Sequence, residues 1–152
     1  MSDPIEFTTS SPRHGLALLF AGQSQKEFYV NEAHSLLDAL LHISIEGESN
    51  DPPASPAEGE TWLVDDTPTG DWVGHAGELA SWQSANWLYA TPTIGMQLFD
   101  KASGQLMRFD GTWRKAATVA DPTGGTTTDA EARTAIAGLI DALIEAGILP
   151  DS

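Results

Sequence analysis

His34, Asp38 and His42 stand at i, i+4 and i+8, a spacing that lines two imidazoles and a carboxylate along one helical face. Zinc accepts such donors. The chain has no His-Glu-x-x-His pair, however, and polar residues opposite a leucine stripe are expected on any surface helix. The spacing therefore predicts a solvent-facing set rather than a metal site. His75 sits between glycines in Gly74-His75-Ala76-Gly77, where an imidazole could act as a general base. Neither Ser81 nor Ser84 lies in a Gly-x-Ser-x-Gly elbow, so His75 reads as a turn histidine bonded to local backbone. Asp65, Asp66 and Asp71 surround a turn but lack EF-hand spacing. Asp65, Asp71 and Glu78 could serve as paired carboxylates for glycoside hydrolysis, a mechanism that depends on their separation. Asp65, Asp66 and Asp71 read as an acidic hairpin tip. With no cysteine and no phosphate-binding glycine loop, the sequence predicts a non-enzyme with no catalytic residue, no metal ligand and no cofactor.

The aromatic residues are more informative. Trp62, Trp72, Trp82, Trp87 and Trp113 fall in one stretch with Tyr89, Phe99 and Phe109. Large rings can fill a thin sheet's core where aliphatic residues are few. Alternatively, Trp72, Trp82, Trp87 and Tyr89 could form a sugar-stacking platform or anchor a partner.

The formal charge is −15, unevenly spread. No Lys or Arg lies between Lys26 and Lys101, while 13 Asp or Glu do. Lys101, Arg108, Arg114 and Lys115 then follow closely. The acidic block disfavours nucleic acid, whose phosphates it would repel. The two charged segments could also guide self-association. The longest apolar run, Gly15 to Gly22, is far shorter than the roughly 20 residues of a membrane span, so no membrane insertion is expected. Asp3 and Glu6 also occupy the place of a signal peptide's positive region.

The elements that would position these residues form an α+β pattern. Residues 1–13 read as an extended arm that frays or ties onto a neighbour. Residues 14–115 read as one α+β domain. Its helix runs from Asn31, the expected N-cap, to Ile43, with Ala33, Leu36, Leu37, Leu40 and Leu41 on the inward face. Leu16 to Gln25 could be a strand or a helical turn, and Gly47 to Gly59 reads as a loop. Short strands follow at Thr61–Val64, Asp71–Val73, Glu78–Trp82, Trp87–Ala90, Met96–Phe99, Gln105–Phe109 and Thr112–Lys115. They predict a small antiparallel sheet of hairpins packed on the helix. Residues 116–127 form a linker. A Thr128-Asp129-Ala130-Glu131 capping box then opens a C-terminal amphipathic helix over 128–149. Its stripe, Ile136, Leu139, Ile140, Leu143 and Ile144, is an expected assembly interface.

Gln23-Ser-Gln-Lys26, Asn31-Glu-Ala33 and Leu36-Leu-Asp-Ala-Leu40 resemble the opening of a phage-associated domain family. That family occurs in tail-fibre and head-spike-like proteins of alphaproteobacterial prophages and gene transfer agents. The resemblance continues through Pro52 to Glu60, Trp62-Leu-Val64, Gly70 to Gly77 and Phe109-Asp-Gly-Thr-Trp113. It implies a structural protein of a phage-like particle, assembled in the bacterial cytoplasm, and supplies no catalytic residues. The implied role is a head-spike base or tail-fibre adaptor that anchors a host-contacting fibre. Its partners would be capsid, tail or fibre proteins and copies of itself, in a ring or trimer. A carbohydrate-binding module that contacts a host-surface polysaccharide is the alternative expectation.

Overall fold

The computed structural model describes residues 9–22, 26–126 and 129–150. The fold is α+β, with two helices and two small sheets of short strands. The chain divides into two compact units, one ending at Pro92 and the other beginning at Thr93.

In the first unit, α1 spans Lys26–Leu40. It begins before the expected Asn31 cap. Asn31 lies inside the helix, and its side chain holds the main chain of Leu19: Oδ1 accepts from Leu19 N at 2.8 Å and Nδ2 donates to Leu19 O at 3.1 Å. The cap-like residue is thus used to bind a neighbouring segment. Residues 16–20 adopt neither of the expected regular forms, apart from a bridge between Ser10 and Ala17.

The helix also turns the expected face the other way. Ser35, Asp38 and Ala39 are buried, whereas Leu37 is 51% exposed and Leu41 44%. Asp38, expected in solvent, is 1% exposed. Its carboxylate accepts from Ser11 Oγ at 2.6 Å, Arg13 N at 2.9 Å and His14 N at 2.6 Å. The Arg13 guanidinium donates to the carbonyls of Asp38 and Ala39, in the last turn of α1, and of His42 just beyond it. This replaces the basic residue that the last turn lacks. His34 Nδ1 lies 2.9 Å from Ala17 O. The described part of the expected N-terminal arm therefore ties onto its own chain. The remainder, residues 1–8, lies outside the described residues.

Strands β1 (Ser44–Ile45) and β2 (Glu48–Ser49) follow, β2 within a stretch expected to be loop. Strands β3 (Thr61–Val64), β4 (Leu79–Gln83) and β5 (Asn86–Ala90) complete a sheet ordered β2-β3-β4-β5. β2 runs parallel to β3, so the sheet is mixed rather than wholly antiparallel. α1 meets it at β4. The β4–β5 turn is the tight pair Ser84-Ala85, both at positive φ (50° and 60°), as a two-residue hairpin requires. Asp71–Val73, expected as a strand, instead belongs to a single 3-10 turn at Gly70–Trp72.

In the second unit, β6 (Gln97–Asp100), β7 (Gln105–Phe109) and β8 (Trp113–Arg114) form an antiparallel meander. The helix α2 spans Ala130–Glu145. Its N-cap is Asp129, whose side chain accepts from Ala132 N at 2.8 Å. The cap thus falls one residue later than the expected Thr128, which lies outside the described residues. The C-terminal end is held to β7: Leu106 N donates to Gly147 O, Gln105 Nε2 donates to Ile148 O, and Leu149 is buried.

Candidate functional site

Strand register sorts the aromatic residues. Trp62 pairs with Ala80, Ala80 with Tyr89, and Trp82 with Trp87. Side chains alternate along a strand, so Trp62, Val64, Ala80, Trp82, Trp87 and Tyr89 share one face. The opposite face carries Thr61, Leu63, Leu79 and Ser81, all buried.

Trp72 packs against the aromatic face from the 3-10 turn and forms a core with Val64 and Ala80. Its ring meets Trp87 edge-on at 5.2 Å and Trp62 at 6.4 Å, and Trp87 meets Trp82 at 5.0 Å. Such tilted contacts are favoured by the ring quadrupole. Gly70 starts the turn at φ 56°, and a Cβ there would lie 3.3 Å from Pro52 Cγ. The glycine thus serves both backbone conformation and close approach.

Trp72 is 0% exposed, so it supports the sheet and presents no ring to a ligand. This removes it from the expected contact set. Trp82, Trp87 and Tyr89 are half-buried. Tyr89 has one ring face covered by His75, with parallel centroids 3.4 Å apart, and its hydroxyl donates to Asp71 O at 2.6 Å.

The His75 environment was the part least visible in the sequence. His75 Nδ1 lies 2.7 Å from Glu78 Oε2, so its partner is a carboxylate rather than the expected local backbone. Thr91 Oγ1 donates to Glu78 Oε1 at 2.7 Å. Burial pushes the Glu78 carboxyl up, but hydrogen bonds from His75 and Thr91 and the charge of His75 outweigh it. The net result is a carboxyl below its ordinary range. A glycosidase acid needs the reverse shift. The tyrosine hydroxyl is pushed up by burial and by the Asp71 and Glu78 charges. Together, the His75–Tyr89 stack, the Glu78 pair and the Tyr89–Asp71 bond clip the glycine-rich 70–78 segment onto β5.

This clip carries a pH prediction. Because the folded Glu78 value is lowered, its contribution is complete above the ordinary glutamate range and falls away as pH drops through the lowered value. Denaturant titrations at a series of acidic pH values should show a shallower acid loss for Glu78→Gln than for the wild type. Identical pH slopes would contradict this role.

Asp65 and Asp66 are exposed, and Asp65 Oδ1 accepts from Asp66 N at 2.7 Å. Among the described residues, no group of three or more His, Asp or Glu side chains could hold a metal ion. No described helix is long and apolar enough to cross a membrane.

The other candidate surface is α2. Among its residues none is buried; Leu139 is 64% exposed, and Ile136 and Leu143 are also exposed. Ile140 and Ile144 are half-buried. The expected stripe is thus present on a helix anchored at its C-terminal end.

These features define a small two-unit α+β domain with an aromatic-faced mixed sheet and an outward apolar helix. The chain belongs to the family described as protein of unknown function (DUF2793), which matches residues 30–114. The match takes in most of α1 and all eight strands; α2 follows it. No curated protein and no solved structure matches the chain.

Proposed function

We propose that this domain is a non-enzymatic structural module of a phage-like particle, a head-spike base or tail-fibre adaptor that assembles through α2. The observation that carries the assembly role is the uncovered stripe. Ile136, Leu139 and Leu143 fall three and four residues apart, the spacing of a helix–helix seam. Leaving such a row in water forgoes about 25 cal/mol per Å² of apolar surface, which association would recover. The particle setting is supported by the resemblance to tail-fibre and head-spike-like proteins drawn above.

The test uses particles purified from producing cells. Quantitative mass spectrometry should find the wild-type chain at a fixed copy number per particle. A Leu139→Glu/Leu143→Glu variant, produced at equal level, should be depleted at least tenfold. Absence of the wild-type chain from particles would overturn the particle role. Equal incorporation of the variant would overturn the role of α2.

A further inference from the structure

The sheet of the first unit ends on β5, which pairs with β4 and has no strand on its other side. An open edge is a row of backbone donors and acceptors, and proteins blunt it with short strands, lysine, proline or bulges. β2, at the opposite edge of the same sheet, has two residues, as has β8 in the second unit. β5 has five, Asn86 to Ala90, none of them charged or proline. All five pair with β4 in unbroken register, so no bulge bends this edge away.

The ladder determines which groups face outward. Residues of an antiparallel strand point their N–H and C=O alternately toward the partner and away from it. Trp82, opposite Trp87, turns both groups toward β3: its N–H donates to Glu60 O at 2.8 Å, and its carbonyl accepts from Gly59 N at 2.9 Å. Trp82 and Trp87 are therefore a non-hydrogen-bonded pair. Trp87 directs its N–H and C=O off the sheet, and so does Tyr89 two residues on. Among the described residues, no backbone bond from another segment reaches these four groups.

We propose that β5 takes up an extended, basic segment of a partner protein as a fifth, antiparallel strand of this sheet. The four outward groups of Trp87 and Tyr89 call for an extended main chain. Charge selects its kind, because carboxylates stand at both ends of the edge. Glu58 accepts from Ser84 N at the β4–β5 turn, and Glu78 accepts from Thr91 Oγ1 just past Ala90. The Asp71 charge also acts on Tyr89. His75 pairs with Glu78, but residues 27–100 contain no Lys or Arg to offset this acidity. A strand with lysine or arginine at its ends complements these groups. The β5 of a second copy, in a chain of formal charge −15, would instead bring more negative charge. Residues of the added strand opposite Trp87 and Tyr89 share their face, where aromatic rings pair well with β-branched side chains. This edge and α2 lie in different units, so the two surfaces are tested separately.

Amide hydrogen exchange of the full chain, read by NMR, tests this with an end-capped peptide Lys-Val-Thr-Val-Thr-Lys. In the free protein, Trp87 and Tyr89 should exchange fast and Asn86, Leu88 and Ala90 slowly. Saturating peptide should slow Trp87 and Tyr89 by roughly tenfold or more. Methylating both valine nitrogens, which would face β5, should weaken binding by roughly tenfold or more, whereas methylating both threonine nitrogens should not. A peptide with glutamate in place of both lysines should bind more weakly by a similar factor. Binding that leaves Trp87 and Tyr89 fast, equal effects of the two methylations, equal affinity for the glutamate peptide, or no binding would each overturn the proposal. So would slow exchange of Trp87 and Tyr89 in the free protein. Slowing that grew with protein concentration would identify a second copy as the occupant instead.

Discussion

Replacing Asp38 with alanine is expected to destabilise the protein by about 3–5 kcal/mol, the range for removing one side of a buried, charge-assisted network. The substitution strands the Ser11 hydroxyl and the Arg13 and His14 amides, three donors that meet this carboxylate. Native domains hold about 5–15 kcal/mol in all, so the loss is a large share. The adjacent Leu37→Ala should cost less than about 1 kcal/mol, because Leu37 is exposed. Urea denaturation of both variants checks the contrast. The opposite order, with Leu37 costly and Asp38 cheap, would mean that the leucine stripe faces inward. Burial pushes the Asp38 carboxyl up, but the Ser11, Arg13 and His14 bonds and the charge of His14 outweigh it and hold it low. Its contribution is therefore complete above the ordinary aspartate range and is lost as pH falls through the lowered folded value.

Trp72→Ala is expected to cost about 3–5 kcal/mol, as large-to-small substitutions of buried aromatic residues do. The indole is fully enclosed and touches both Trp62 and Trp87, so its removal leaves a cavity and ends two ring contacts. Trp72→Phe should be milder, about 1–2 kcal/mol. It keeps most of the ring and deletes a buried indole N–H that has no acceptor within hydrogen-bond distance among the described residues. Denaturation midpoints give both values. A loss below about 1 kcal/mol for Trp72→Ala would show that the ring does not organise this core.

Local signals predicted much of the sheet region. Strands β3 to β8 fall within a residue or two of the expected spans, because short apolar and aromatic runs there are broken by turn residues such as Gly104 and Asp110-Gly111. Less was legible where a residue's partner is distant in sequence. Periodicity read the α1 leucines as inward because it could not register that Ser11, Arg13 and His14 would satisfy Asp38 from some 25 residues away. Asn31 looked like a cap because its bond to Leu19 is tertiary. Asp71–Val73 resembled a strand through Trp72 and Val73, but Gly70 turns the chain and sends Trp72 into the core. The parallel β2–β3 pair joins strands too short for a periodic signal. The His75–Glu78 spacing was visible, yet its stacking on Tyr89 depends on β5 folding back beside β4.

The α2 stripe was legible as a pattern, and the structure adds its exposure. The uncovered apolar face of α2 is the basis of the assembly role proposed for it. Sedimentation equilibrium over a broad concentration series tests that claim most directly. The wild type should show an average mass that rises from 16.2 kDa toward a defined oligomer, while Leu139→Glu/Leu143→Glu stays at 16.2 kDa. Indistinguishable oligomers from the wild type and the variant would contradict it.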